Sequence, residues 1–307
     1  MSAREFVALG TGSQTPTRHR SHNSYALRWD DQLILFDPGE GTQRQCTLAG
    51  ISITRATAVC VTHFHGDHCL GLPGVIQRRS LDNAMNEAPS APLPIFYPGD
   101  GQEYFDRLRS VSIFHDQSDL VPSPIHTSGE QAVLGSLTLS TVALEHRVTT
   151  WGFRLQEADG LRVDADAAAE RGISGPDIGR LMKEGHVDTP TGRVWREEVT
   201  SVRRGQSMAF VMDTRLCDGA RELAAGVDLL VCESTYLASE AALAEEYFHM
   251  TAEQAGQMAA DAGVQRLVLT HFSARYPDVS VMAQEAGRFH SDVVAVEDLD
   301  RVPVPPR

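Results

Sequence analysis

Directly after the apolar run Ala58 to Val61 the chain reads THFHGDHC, placing His63, His65, Asp67 and His68 within six residues. Three imidazoles and a carboxylate this close together cannot all be satisfied by the apolar neighbours of a buried strand. The composition of the cluster therefore implies a cation among them. Imidazole nitrogen and carboxylate oxygen are ligands suited to zinc, and two metals about 3.5 to 4 Å apart can share such a cluster. One motif supplies too few ligands for two ions. The remaining candidates are His146 after TVALE, Asp213 after AFVM and His271 after LVLT, each following an apolar run. Taken singly, a histidine at a strand end is more often a structural residue than a ligand. Taken with the motif, the three complete a set: His63, His65 and His146 for one ion, Asp67, His68 and His271 for the other, and Asp213 able to bridge them. The expected cofactor is two Zn2+ per chain, with Mn2+ or Mg2+ as possible substitutes.

Positioning these side chains requires strands that end along a common edge. Strand patterns run over Glu5 to Leu9, Ser24 to Trp29, Gln32 to Phe36, Thr57 to Val61 and Pro94 to Tyr97. Others cover Leu137 to Leu144, Trp151 to Leu155, Met208 to Met212, Asp228 to Cys232, Arg266 to Thr270 and Asp292 to Val296. Helical patterns fall between several of them, including Gly101 to Arg109 and Thr251 to Ala262. Strands followed by mixed strand and helix, in both halves, suit an α/β class chain built as a four-layer αββα sandwich. Residues 155–206 do not fit that sheet: they carry no strong strand, a helix signal from Asp164 to Gly172, and a short amphipathic turn around Pro176. A structureless insertion of this length is unusual unless functional, and the pattern alone fits a plain surface excursion equally well. Gly71, Pro73 and Gly74, after the motif, are expected to shape a backbone turn.

The formal net charge of -14 argues against a broad basic surface. Pro16 to Arg20 and Gln77 to Arg79 are locally basic, and every basic residue except Lys183 is arginine. Any phosphate contacts would thus be mostly guanidinium forks. The five cysteines are odd in number and contain no C-x-x-C pair, which suggests reduced core residues rather than a disulfide framework. No leader pattern opens the chain and no segment approaches the roughly 18 apolar residues of a membrane span, so a cytoplasmic location is expected. No nucleotide-cofactor fingerprint was identified.

With these residues in place, the chain resembles the metallo-β-lactamase-fold ribonuclease Z family along essentially its whole length. Beyond the histidine motif, the resemblance rests on LGTGSQTPTRHRSHNS, FDPGEGTQRQ, the GLPG after the motif, HRVTTWGFRL, MDT, the loops around Glu233 and His249, and THFSARY. It implies an endoribonuclease that hydrolyses a phosphodiester near the 3′ end of precursor tRNA, leaving a 3′-hydroxyl and a 5′-phosphate. It further implies a homodimer, a catalytic core over residues 1–154 and 207–307, and a protruding, flexible tRNA-binding arm over residues 155–206 that includes Gly175 and Pro176. By the same resemblance Glu233 would orient His249 as the acid for the departing 3′ oxygen, and Asp67 would accept a proton from water. Arg18 and Arg20, in PTRHR, and Ser273 and Arg275, in HFSARY, would contact the substrate. Three positions depart from the usual wording: CEST stands where HEAT is frequent, HMT where HST is frequent, and Arg18 where a lysine is frequent.

His19 and His22 are expected to be solvated loop histidines, and Tyr247 and Phe248 to pack in the core or to stack on bases. Two other function classes remain open. A binuclear hydrolase of small phosphodiesters or aryl sulfates would need neither the arm nor the basic loop. A non-catalytic RNA-binding relative would be expected to have lost ligands or the Glu233 and His249 pair, and none is lost.

Overall fold

The computed structural model describes residues 4–86 and 90–306. Met1 to Ala3, part of the chain start read above, lie outside the described residues. The described residues form two compact units, one from 4–156 with 207–306 and one from 157–206.

The first unit holds two seven-stranded sheets. In the first, Arg301–Pro303, Glu5–Gly10, Ser24–Trp29 and Gln32–Phe36 are antiparallel neighbours, and Ala58–Cys60, Leu93–Pro98 and Leu120–Ile125 continue the sheet in parallel. In the second, Val293–Ala295, Arg266–Thr270, Leu229–Glu233 and Ser207–Val211 are parallel. Thr150–Glu157, Leu137–Leu144 and Gly129–Leu134 complete it.

The period-two alternation of strand side chains sorts these residues into separate cores. Phe6, Ala8, Ile34, Phe36, Ala58 and Cys60 of the first sheet share one cluster with Phe153, Leu155, Met208, Phe210 and Val231 of the second. Their sequence neighbours Val7, Leu9, Leu35, Val59 and Val61 instead pack with Leu72, Val75 and Ile76 of the helix Leu72–Met85. On the far side Ala209, Val211, Leu230, Cys232, Leu267 and Leu269 pack with residues of the helices Asp218–Ala224, Ala252–Asp261 and Ser280–Ala286. Each sheet is therefore covered on both faces, which is the αββα sandwich expected from the sequence. All five cysteines are buried and free. Among the described residues no helix is long and apolar enough to cross a membrane.

The structure corrects several local expectations. Thr150–Glu157 runs beyond Leu155, because Leu155 is a core residue and Gln156 pairs with Ser207, so the first unit extends to residue 156. The inserted unit does contain strands. Gly160–Val163 pairs with Thr200–Arg203, and His186–Thr189 pairs with Gly192–Trp195. Each spans four residues, too short for alternation to register as a pattern. The helix Ala165–Glu170 begins at Asp164, whose side chain accepts from the backbone N–H of Asp166 and Ala167 at 3.1 Å. Ala168, Ile173, Leu181, Val187, Val194 and Val199 give this unit a small core of its own. Pro73 and Gly74 lie in the first turn of the helix Leu72–Met85, not in a loop; proline is tolerated there because its missing N–H would have had no helical partner.

Candidate metal centre and hydrolytic site

Side chains following five strand ends meet in the first unit. The segment after Ala58–Cys60 carries His63, His65 and a four-residue helix, Gly66–Cys69, with Asp67 and His68 on it. His146 follows Leu137–Leu144, Asp213 follows Ser207–Val211, Glu233 ends Leu229–Glu233, and His271 follows Arg266–Thr270. Asp213 and His271 adopt left-handed backbone angles, φ 47° and 60°, as does Asp37 at φ 42° after Gln32–Phe36. For a residue with a Cβ such conformations are disfavoured by about 1–3 kcal/mol each, and they are typical of residues placed for chemistry. Close backbone approach brings the neighbouring segments together. A Cβ on Gly39 would stand 2.2 Å from the Asp67 carbonyl oxygen, so only glycine lets the turn after Asp37 sit against the histidine segment.

The ligand-type atoms form overlapping groups: His63, His65, His146 and Asp213; Asp67, His68 and His271; and Asp213, His249 and His271, each with donor atoms within 4.8 Å of one another. His63 Nε2 lies 2.9 Å and His146 Nε2 lies 3.3 Å from His65 Nδ1. Asp213 Oδ2 stands 3.6 Å from His63 Nε2 and 3.3 Å from His68 Nε2, while Oδ1 stands 2.9 Å from His271 Nε2. Asp213 thus faces both sets. Asp67 Oδ2 lies 3.5 Å from His68 Nε2 and 3.9 Å from His271 Nε2, and accepts the Gln14 backbone N–H at 2.8 Å.

Buried polar partners fix which ring nitrogen is available. The Thr62 hydroxyl donates to Asp37 Oδ2 at 2.8 Å, so it can only accept from His63 Nδ1, 2.9 Å away. The Thr235 hydroxyl likewise donates to Glu233 Oε2 at 2.7 Å and accepts from His271 Nδ1 at 2.8 Å. His68 Nδ1 donates to Asp37 Oδ2 at 2.8 Å, and His146 Nδ1 to the Phe248 carbonyl at 3.2 Å. In all four rings Nε2 is left facing the carboxylates. This is the arrangement in which an outer partner fixes the tautomer of a metal-binding histidine.

These residues fit a cationic group. Asp213 Oδ1 and His271 Nε2 are buried and, though 2.9 Å apart, neither has an aligned hydrogen-bond partner. Burial lowers the basicity of His271, but Asp213 and Asp67 outweigh it and push the imidazole up to about 10. His68 is raised in the same way against burial by Asp213, Asp67 and Asp37. The carboxylates demand positive charge. His63, His65 and His146 are lowered chiefly by burial and so stay neutral, the form that ligates. Tetrahedral nitrogen ligands about 2.0 Å from an ion stand about 3.3 Å apart, close to the 2.9 and 3.3 Å that separate His65 Nδ1 from the Nε2 atoms of His63 and His146.

His249 occupies a different position. The helix Ala241–Tyr247 closes on Phe248 in a left-handed conformation, φ 58°, which turns the chain so that His249 Nδ1 donates to Glu233 at 3.0 Å. Glu233 also accepts the backbone N–H groups of Thr214 and Met250, at 2.6 and 3.1 Å. Burial opposes charging of His249, but Glu233 overcomes it and raises the imidazole above its ordinary value. His249, Asp67, His65, His146 and Asp213 line a cleft of about 700 Å³, together with Ser273 and Arg275.

The remaining expected site residues separate. Arg275 lines the cleft but is paired with Glu240 at 2.8 Å. Arg18 and His19 are exposed and are not among the cleft-lining residues. Arg20 departs from its expected role as a substrate contact: it is 7 % exposed and its guanidinium donates to the backbone carbonyls of Ser273, Tyr276 and Pro277. It braces the segment after His271. His22 is not a solvated loop residue, since its Nδ1 is buried and its backbone bridges to Gly12. Neither Tyr247 nor Phe248 belongs to the buried core; arginine guanidinium groups lie over both rings, Arg147 at 4.8 Å and Arg215 at 4.6 Å. Gly175 and Pro176 belong to the second unit, at the start of the helix Pro176–Glu184. Sequence reasoning missed Asp37, Thr62 and Thr235 as supports of the histidines. The available signal was the DPG turn at a strand end, which places a carboxylate where the histidine segment also emerges.

Residues 32–272 match the family described as the Beta-lactamase superfamily domain, which is the class that this sandwich and its histidine and aspartate cluster define. The ribonuclease Z of Salinispora arenicola is 52 % identical over 100 % of this chain and 98 % of its own length. That of Nocardia farcinica is 52 % identical over the whole of both chains. The crystal structure of the short form of human tRNase Z superposes with a TM-score of 0.71 at 24 % identity, covering 98 % of this chain and all of that one, a likeness of fold. The chain belongs to the ribonuclease Z family of the β-lactamase superfamily.

Proposed function

We propose that this chain is a zinc-dependent endoribonuclease that cuts precursor tRNA near its 3′ end, releasing the trailer with a 5′-phosphate and leaving a 3′-hydroxyl on the tRNA. The observation that carries the reading is the meeting, in one cleft of a ribonuclease Z family chain, of two ligand-type clusters and the Glu233 and His249 pair. His63, His65 and His146 would hold one zinc ion, Asp67, His68 and His271 a second, and Asp213 would bridge them. Bound there, the ions supply a Lewis acid for the phosphate and lower the pKa of a water molecule toward neutrality. Asp67, whose carboxylate accepts the Gln14 N–H, would also accept the proton of the attacking water. His249 holds a proton at Nε2 for the departing 3′ oxygen while Glu233 fixes its ring. Ser273 and Arg275 line the cleft beside these groups and contact the scissile strand.

Residues 157–206 act as the tRNA-binding arm, with Gly175 and Pro176 at its contact with the substrate. A separate small core supports the reading of this unit as a self-contained module. The chain works as a homodimer in the cytoplasm, where its five buried thiols stay reduced.

Purified, zinc-loaded protein incubated with end-labelled precursor tRNA should give one cut, mapped at the 3′ end of the mature sequence, and metal analysis should approach two ions per chain. Turnover of bis(p-nitrophenyl) phosphate without any cleavage of precursor would instead place the chain among small-phosphodiester hydrolases. Replacing residues 160–200 with a short Gly-Ser linker should lower precursor cleavage far more than small-substrate cleavage, chiefly through weaker binding.

A further inference from the structure

The arginines around the cleft are not equivalent. Arg275 is paired with Glu240, Arg215 with Glu145 and Glu245 at 2.8 and 2.7 Å, and Arg20 with backbone carbonyls. Arg147, which lines the cleft directly after His146, is different. Its Nη2 donates to the Glu246 carbonyl at 3.0 Å, and its guanidinium lies 4.8 Å from the centroid of the Tyr247 ring. Among the described residues no carboxylate comes within ion-pair distance of it. It is the cleft-lining guanidinium whose charge the chain leaves unneutralised, in a protein of net charge -14. Unpaired charge at such a place is a binding feature, because a guanidinium fork matches two oxygens of one phosphate.

Its neighbours say which phosphate. His146 precedes Arg147 and His249 stands two residues after Tyr247, and the two imidazole rings lie 5.3 Å apart. His249 holds the proton for the departing 3′ oxygen, so the nucleotide that carries this oxygen must lie against His249. Arg147 and Tyr247 line the same cleft as His146 and His249, which puts them beside that nucleotide's place. Tyr247, 40 % exposed and also lining the cleft, holds the guanidinium by its ring while the Glu246 carbonyl anchors one nitrogen. Much of the ordering entropy of the arginine is therefore spent before substrate arrives.

We infer that Arg147, laid on Tyr247, is the binding residue for the phosphate on the 5′ side of the nucleotide bearing the departing 3′ oxygen. This rests on the ribonuclease reading above. It adds a subsite on the tRNA side of the cut that acts on an RNA strand but not on a small phosphodiester.

The test pairs Arg147→Gln with a precursor tRNA in which that one phosphate is replaced by an uncharged methylphosphonate. With unmodified precursor, Arg147→Gln should lower kcat/KM about 10- to 100-fold, the loss of a hydrogen-bonded charged contact. The loss should fall mainly on KM, and is taken relative to bis(p-nitrophenyl) phosphate turnover by the same preparation. The log-log salt slope should shrink by about 0.7, as for one single-strand phosphate contact. The methylphosphonate should slow the parent protein similarly, yet cost Arg147→Gln little more. Arg147→Lys should recover part of the loss. Fully additive losses, or a coupling that appears at a phosphate of the trailer instead, would overturn the assignment. So would normal precursor cleavage by Arg147→Gln, which would leave the ribonuclease reading standing. A parent protein that cuts no precursor would overturn that reading, and this one with it.

Discussion

The two sheets bring the same device to the site and put it to different use. On the first sheet the buried carboxylate of Asp37 accepts a hydrogen bond from His68 Nδ1 and, through the Thr62 hydroxyl, fixes His63. On the second the buried carboxylate of Glu233 accepts a hydrogen bond from His249 Nδ1 and, through the Thr235 hydroxyl, fixes His271. Each carboxylate thereby sets the tautomer of two rings. The outcomes diverge with exposure. The side chain of His68 is fully buried and faces Asp67 and Asp213, whereas that of His249 is 13 % exposed and lines the cleft. A ring enclosed by carboxylates is suited to ligation, and one that reaches the open cleft is suited to proton transfer to a substrate. The environment beyond the shared device, rather than the device, separates the two roles.

The residue that joins the halves should show the largest effect. Removing one preorganised electrostatic group from a site typically costs about 100- to 1,000-fold in turnover. Asp213→Ala should exceed that, because Asp213 faces both sets of rings. Metal content after gel filtration should fall with activity, and an active variant holding its full metal complement would refute the bridging role. Next in size, His249→Ala should lower kcat about 100- to 10,000-fold with metal content nearly intact. His68→Ala should lose metal instead. If both variants lost metal equally, the two halves would be alike in function as well as in construction.

The carboxylates come third. Asp37→Ala should weaken metal binding about 10- to 100-fold, the usual effect of removing an outer partner of a ligand. Glu233→Ala should reduce turnover at saturating metal, as His249→Ala does, with some loss of affinity through Thr235 and His271. Competition with a chromogenic chelator measures the first, and initial rates at a series of zinc concentrations separate the second from it.

The first half of this site was legible in the sequence because its candidate ligands are contiguous. His63, His65, Asp67 and His68 sit on one loop and one short helix, so their proximity needs no knowledge of the fold. The second half is built from one residue per strand end. His146, Asp213 and His271 could be placed only by assuming that parallel strands finish on a shared edge, and the apolar runs before them made that assumption workable. Asp37 and the two threonines escaped notice because their role depends on where a hydroxyl proton points, which no spacing records. Arg20 was misjudged for a related reason: a guanidinium in a basic loop reads as a phosphate contact until the segment after His271 is seen wrapped around it. In the inserted unit, strands of four residues carry too few alternations to be recognised, while the cap at Asp164 is a local signal and was read.

The smallest effects should come from the threonines, and they offer the finest comparison of the halves. Thr62→Val and Thr235→Val keep the shape of the side chain but remove the hydroxyl that stands between carboxylate and imidazole. A neutral hydrogen bond of this kind contributes about 0.5–1.5 kcal/mol, so each change should weaken metal binding by roughly 2- to 13-fold. The carboxylates keep their other donors: Asp37 retains the Thr62 backbone N–H at 2.7 Å and His68, and Glu233 retains His249 and the N–H groups of Thr214 and Met250. Folding should therefore survive both changes, which thermal unfolding of the two proteins would check. At saturating zinc Thr62→Val should regain nearly the parent turnover, since the only imidazole that the Thr62 hydroxyl supports is that of His63, a proposed metal ligand. Thr235→Val should regain less, because the Thr235 hydroxyl also lies 3.4 Å from His249 Nδ1 and helps to settle that ring on Glu233. Equal recovery by both variants would mean that Glu233 alone orients His249, and that the threonines serve the metal-binding rings in the same way in both halves.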